Sequence, residues 1–171
     1  MNASVMTDTT QYLTCKLGEE SFAIDISKVR EVLDFTTVTH VPRMPEFMSG
    51  VINLRGAVVP VVDLRLKLGM PKTALTVNTC VIITEVTVDH ETTVLGAITD
   101  SVQEVIELDG EQVEAAPRIG TRLKADFIAG MGKHNNGFVI VLDLDKVFSA
   151  DELAQVCNEN SSFGKSVCGN N

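Results

Sequence analysis

Residues 50–65 read GVINLRGAVVPVVDLR, two largely β-branched runs that meet at the dipeptide Arg55-Gly56. Glycine tolerates positive φ, and an X-Gly pair between such runs predicts a tight β-hairpin. Asn or Asp ordinarily precedes that glycine, because a short polar side chain visits the left-handed region cheaply. An arginine there puts a long fixed charge at the apex of a stiff element. Solvation of a wet turn is one explanation; a dedicated contact is the other.

Working outward, QYLTCKL at 11–17 and SFAIDI at 21–26 read as strands joined at Gly18-Glu19-Glu20. In DISKVREVL, Ile26, Val29 and Val32 recur every third residue, which predicts a helical turn leading into a strand. Pro42 and Pro45 break VTHVPRMPEF, DLRLKLG reads as one helical turn closed by Gly69, and MPKTALTV is a loop. Further strands are expected at 79–86, 92–99 and 138–144. Ser149 and Glu152 form a capping-box pattern that predicts a short helix to about Cys157. The final NENSSFGKSVCGNN has no periodicity and predicts disorder, as does the segment 1–10.

The chain also matches itself at an offset of 72 to 80 residues. KVREVL at 28–33 meets SVQEVI at 101–106, Pro45 meets Pro117, Gly50 meets Gly130, and VPVVDL at 59–64 meets VIVLDL at 139–144. In the second copy the turn is HNNG at 134–137, ordinary hairpin chemistry, so the arginine is peculiar to the first. Two copies with about five short strands each predict a mainly β protein of two small barrels. A lone barrel of this size buries little surface, which favours packing the two together around a groove.

Composition bounds the function. With no Trp and one Tyr, the core must come from Val, Ile and Leu, which suits strands. The longest apolar run, AVVPVV, is far below the ~20 residues that span a bilayer, and the N-terminus lacks a signal-peptide pattern. A cytoplasmic protein with no direct membrane insertion is expected. A net charge of −9 opposes nucleic-acid binding. The charge is also polarised: between Lys72 and Arg118 there are nine carboxylates and no Lys or Arg. Cys15, Cys80, Cys157 and Cys168 form no C-x-x-C pair and no zinc spacing.

Catalytic patterns are missing too. His40, His90 and His134 stand apart from one another and from any cysteine, and no nucleophile elbow, zincin or dinucleotide motif occurs. Asp63 and Asp143 recur at matched places, each after a strand and before a helical turn, which reads as helix capping and not as a catalytic pair. No enzyme activity, cofactor or metal is expected.

At this point the residues resemble a known family. VPRMPEFMSGVINLRGAVVPVVDLR is similar to the signature of the CheW family, the coupling proteins of bacterial chemotaxis, and KLGEESFAIDISKVREV resembles that family's opening segment. The resemblance covers residues 11–157 and implies two intertwined five-stranded SH3-like barrels with short helices. It also implies a non-enzymatic adaptor, monomeric when free, linking chemoreceptors (methyl-accepting chemotaxis proteins) to the histidine kinase CheA at membrane-associated arrays. A coupler in a non-flagellar array, for twitching motility or biofilm control, is the alternative. The implied receptor-binding residues are Leu13, Ile26, Val29, Val32, Gly50, Asn53, Arg55 and Val102. Arg118 and Ile119 occupy the position implied for a kinase or ring contact, though the family commonly has an acidic-aromatic pair there. Cys15-Lys16 and Ala23 depart from the pattern as well.

Overall fold

The computed structural model describes residues 9–114, 127–134 and 137–148. The chain opens with a hairpin, β1 (Thr10–Leu17) and β2 (Glu20–Asp25), turned at Gly18 with φ +67. Asp25 then caps a single 3-10 turn, Ile26–Lys28, by accepting the Ser27 N–H at 2.9 Å. β3 (Val29–Asp34) follows directly, as the spacing of Ile26, Val29 and Val32 predicted. The quoted stretch forms the hairpin of β4 (Met48–Leu54) and β5 (Ala57–Asp63), and α1 (Leu64–Lys67) is the one helical turn, followed by Gly69 at φ +84. β6 (Cys80–Val88), β7 (Glu91–Thr99) and β8 (Ser101–Leu108) come next. β9 (Val113–Glu114), β10 (Ile128–His134), β11 (Gly137–Leu142) and α2 (Leu144–Val147) complete the described chain.

Two antiparallel-dominated sheets result, in the orders β3-β6-β7-β5-β4 and β8-β1-β2-β11-β10-β9. The two orders are the same order in repeat equivalents: β3 matches β8, β6 matches β1, β7 matches β2, β5 matches β11 and β4 matches β10. Each sheet carries one parallel pairing at the matching place, β5 with β7 and β2 with β11. The first barrel is therefore contiguous in sequence. The second is begun by β1 and β2 and finished only after the chain has built the first, which is how the two barrels are intertwined.

The repeat extends to single hydrogen bonds. Asp63 N–H donates to the Phe47 carbonyl at 2.8 Å and Asp143 N–H to that of Phe127 at 2.9 Å. Both aspartates cap their helices, accepting from Arg65 N at 3.0 Å and Asp145 N at 3.1 Å. Capping is thus their role, as the recurrence predicted. Asp63 does more: it is 1% exposed and also holds the Thr73 N–H and hydroxyl, fastening the loop after α1.

Each barrel has an interior of its own, Ile52, Val59, Val61, Val81, Ile83 and Ile98 in the first, and Ala23, Ile106, Leu108, Val139 and Val141 in the second. The largest cluster lies between the sheets, drawing Leu13, Leu17, Phe22 and Ile24 from one and Met48, Val62, Ile82, Val86 and Leu95 from the other. Burying both faces explains why β2, β5 and β7 read as near-continuous apolar runs. Three strands were given no range from the sequence, β8, β10 and the two-residue β9. SVQEVIEL is rich in charge and IAGMGKH in glycine, so neither shows clean alternation. The expected helix at 149–157, residues 1–8, the segment after 157 and the Arg118-Ile119 pair lie outside the described residues, while Thr10, at the end of the 1–10 segment, opens β1 and pairs with Leu108 of β8.

Candidate docking surface across the two barrels

Val29 and Val32 lie on β3, where Val29 pairs with Thr84 and Val32 with Ile82 of β6. Directly paired residues share a face of a sheet, and Ile82 belongs to the cluster between the barrels. That face of β3 therefore borders the shared core. Val102 on β8 pairs with Cys15 and Val105 with Leu13, again beside residues of the shared core. The two halves are repeat equivalents, including a bulge at the matching register.

The result is an apolar strip with a graded exposure. Leu13 is 6% exposed and is its floor; Ile26, Val29 and Val102 are half-buried against the shared core; Val32 at 39% and Val105 at 48% are its rims. The turn carrying Ile26 lies against both β1 and β6, so it straddles the two sheets. The structure thus brings together five of the residues expected for receptor binding. It adds Val105, which the expectation omitted; its equivalence to Val32 in the repeat was the signal available.

The other three expected residues form the hairpin beyond the strip. Leu54 pairs with Ala57, so the loop is the two residues Arg55 and Gly56, with φ +53 and +90, the positive pair of a type I′ turn. Exposed Asn53 closes it by accepting the Gly56 N–H at 2.8 Å. Arg55 is also exposed, and its Nη1 donates to Glu31 Oε1 of β3 at 3.3 Å while Nη2 reaches Oε2. The contact spans the two edge strands of the first sheet and holds the Glu31 carboxyl below the usual range, chiefly through the guanidinium hydrogen bond. Gly50 is different: it is buried at φ +149, and a Cβ there would lie 2.1 Å from the Thr39 carbonyl oxygen. Its place is structural.

Among the described residues, no group of three or more His, Cys, Asp or Glu side chains is arranged to hold a metal, and no helix is long and apolar enough to cross a membrane. The arrangement offers an apolar strip shared by the two barrels, with the exposed guanidinium of Arg55 held against Glu31 on the first-barrel side of β3.

Residues 11–152 match the family described as CheW-like domain. The chain belongs to the CheW-like family. It is 34% identical over 148 residues to the chemotaxis protein CheW of Klebsiella aerogenes, covering 86% of this chain and 87% of that protein. It is 31% identical over 148 residues to the CheW of Treponema pallidum, with coverage of 86% and 87%. The crystal structure of the scaffolding protein TtCheW from Thermoanaerobacter tengcongensis superposes with a TM-score of 0.72 at 31% identity, covering 84% of this chain and 90% of that one. The CheW-like fold accounts for both the repeat and the intertwining.

Proposed function

We propose that the chain is a non-enzymatic adaptor that couples chemoreceptors to the histidine kinase CheA in a chemotaxis array. The observation that carries this reading is the strip: each barrel contributes one half-buried and one exposed valine, Val29 with Val32 and Val102 with Val105, over a common floor. A strip of this kind suits an amphipathic helix laid across it, with apolar anchors spaced along one face. A receptor's helical hairpin tip supplies such helices, and Arg55, exposed and held beside β3 through Glu31, supplies a fork for a carboxylate or carbonyl oxygen. Arg118 and Ile119 are assigned to the kinase or ring side on family resemblance. Relatives that carry the printed name chemotaxis protein CheW support the same reading.

An adaptor must hold both partners at once. Mixed with a receptor hairpin fragment and a kinase regulatory-domain fragment, the monomeric protein is expected to sediment as a ternary complex, with neither fragment displacing the other. Competition between the fragments for one surface would overturn the adaptor reading.

A further inference from the structure

The core between the barrels is apolar, and apolar contact is not directional; by itself it does not set the angle at which two barrels meet. Two polar nodes do. In the first, Lys28 Nζ donates to Asp145 Oδ2 at 2.8 Å, and Asp145 Oδ1 accepts the Thr87 N–H at 2.8 Å. In the second, Arg65 donates to Asp100 through Nε at 2.9 Å and Nη2 at 2.5 Å, and Asp100 accepts the Gly18 N–H at 2.8 Å. Each joins a strand-entry residue of one barrel to the helix of the other.

The nodes occupy corresponding places in the repeat with the charges exchanged, although Asp100 stands one residue before Ser101, the equivalent of Lys28. Asp145 and Arg65 hold the same place, two residues after the capping aspartates Asp143 and Asp63. Thr87 and Gly18 hold the same place at the ends of equivalent strands β6 and β1. In one node the helix supplies the anion and the strand entry the cation; in the other the reverse. Both nodes stand next to the docking strip, since Lys28 immediately precedes Val29 and Asp100 lies two residues before Val102.

We propose that Lys28 and Asp100 are positioning residues, which touch no partner but hold β3 and β8 at the spacing that makes the two half-strips one binding surface. The inference rests on the strip being the receptor site. Charged hydrogen bonds are directional and short, so each node fixes the entry of its strand relative to the opposite barrel. Opposite polarity also prevents the two helices from trading anchors, because Arg65 facing Lys28, or Asp145 facing Asp100, would be repulsive.

The test combines receptor-fragment titration with methyl NMR of the valines in the full chain, using Asp100→Asn, Lys28→Met and the conservative Lys28→Arg. Expected are an affinity loss of about 2- to 30-fold for the first two variants, recovery with Lys28→Arg, and movement of valine methyl signals on both β3 and β8 from either single change. Ile98→Val and Val141→Ala, in the separate barrel interiors, serve as stability controls and are expected to retain binding. Normal affinity in both node variants, with shifts confined to their immediate neighbours, would overturn the proposal. So would equal losses in the interior controls. Val29→Asp and Val102→Asp test the strip itself: if these bind normally, it is the receptor reading that fails, whatever the nodes do.

Discussion

Arg55, at the tip of the β4–β5 hairpin, forks onto Glu31 in the middle of β3, joining the two edge strands of the first sheet. The pair is exposed, and exposed pairs are screened by salt and hold little stability. The backbone at φ +53 would suit Asn or Gly better than Arg. Stability therefore does not explain the arginine; the proposed receptor contact would. Arg55→Asn is expected to melt at or slightly above the wild-type temperature, and Arg55→Glu within about 2 °C of it. Both should weaken receptor binding by roughly 10- to 150-fold, the loss typical of a charged hydrogen bond, and keep kinase binding. Calorimetric melting beside two separate titrations checks this; normal receptor affinity would reduce Arg55 to a tie between two strands.

Gly50 belongs to the same signature yet should behave in the opposite way. Alanine there drives a Cβ into the Thr39 carbonyl, across a bridge in which Thr39 and Val51 exchange hydrogen bonds at 2.9 Å in both directions. The positive φ adds strain. Gly50→Ala is expected to cost about 3 kcal/mol or more of stability and to lose receptor and kinase binding together, in step with denaturation midpoint. A Gly50→Ala protein that keeps its melting temperature but loses only the receptor would return this residue to the contact surface.

Much of this was readable before any coordinates, and the reason differs by element. The hairpin of residues 50–65 announced itself because a positive-φ glycine and β-branched runs are local signals. Asp63 and Asp143 were readable as caps because the repeat showed each in the same context twice. β8 escaped because Gln103, Glu104 and Glu107 line its exposed side and mask the period. Glu31 was not assigned to Arg55, since nothing in a sequence says that one sheet will curl until its edge strands meet. The nodes at Asp100 and Asp145 depend on how two barrels dock, a long-range relation with no local trace.

Asp100 gives a pH signature. Its carboxyl is held below the usual range, first by the Arg65 hydrogen bonds, which outweigh the opposing effect of burial, and then by the Gly18 N–H and the Arg65 charge. A depressed folded-state value means the unfolded chain binds the proton more readily, so the stabilisation is full above the unfolded value of about 3.9 and fades as pH falls through the folded one. Asp100→Asn should cost about 1.5–3 kcal/mol at pH 7, with the gap to wild type closing below about pH 4. Urea midpoints measured from pH 3 to 8 decide it. A gap that stays constant across that range would mean the charge of Asp100 is not what the node uses.

Cys15 offers a direct view of the barrels separating. It is 0% exposed within the core between them, and burial pushes its thiol up to about 12, with the negative charge of Asp100 adding to the shift. A thiol that is both inaccessible and protonated reacts only when the surrounding structure opens. In a variant with Ser at 80, 157 and 168, an aromatic disulfide reagent should therefore label Cys15 far more slowly in the folded protein than in urea. Breaking the node beside it should lower the opening cost and speed labelling by about 10- to 150-fold. Asp100→Asn alone is ambiguous, because removing a negative charge also makes the thiol easier to ionise. Arg65→Met breaks the same node while leaving that charge in place, so electrostatics would slow the reaction and opening would speed it. Faster labelling in Arg65→Met thus assigns the effect to the barrels parting. Labelling at the wild-type rate in Arg65→Met would show that the barrels open elsewhere first.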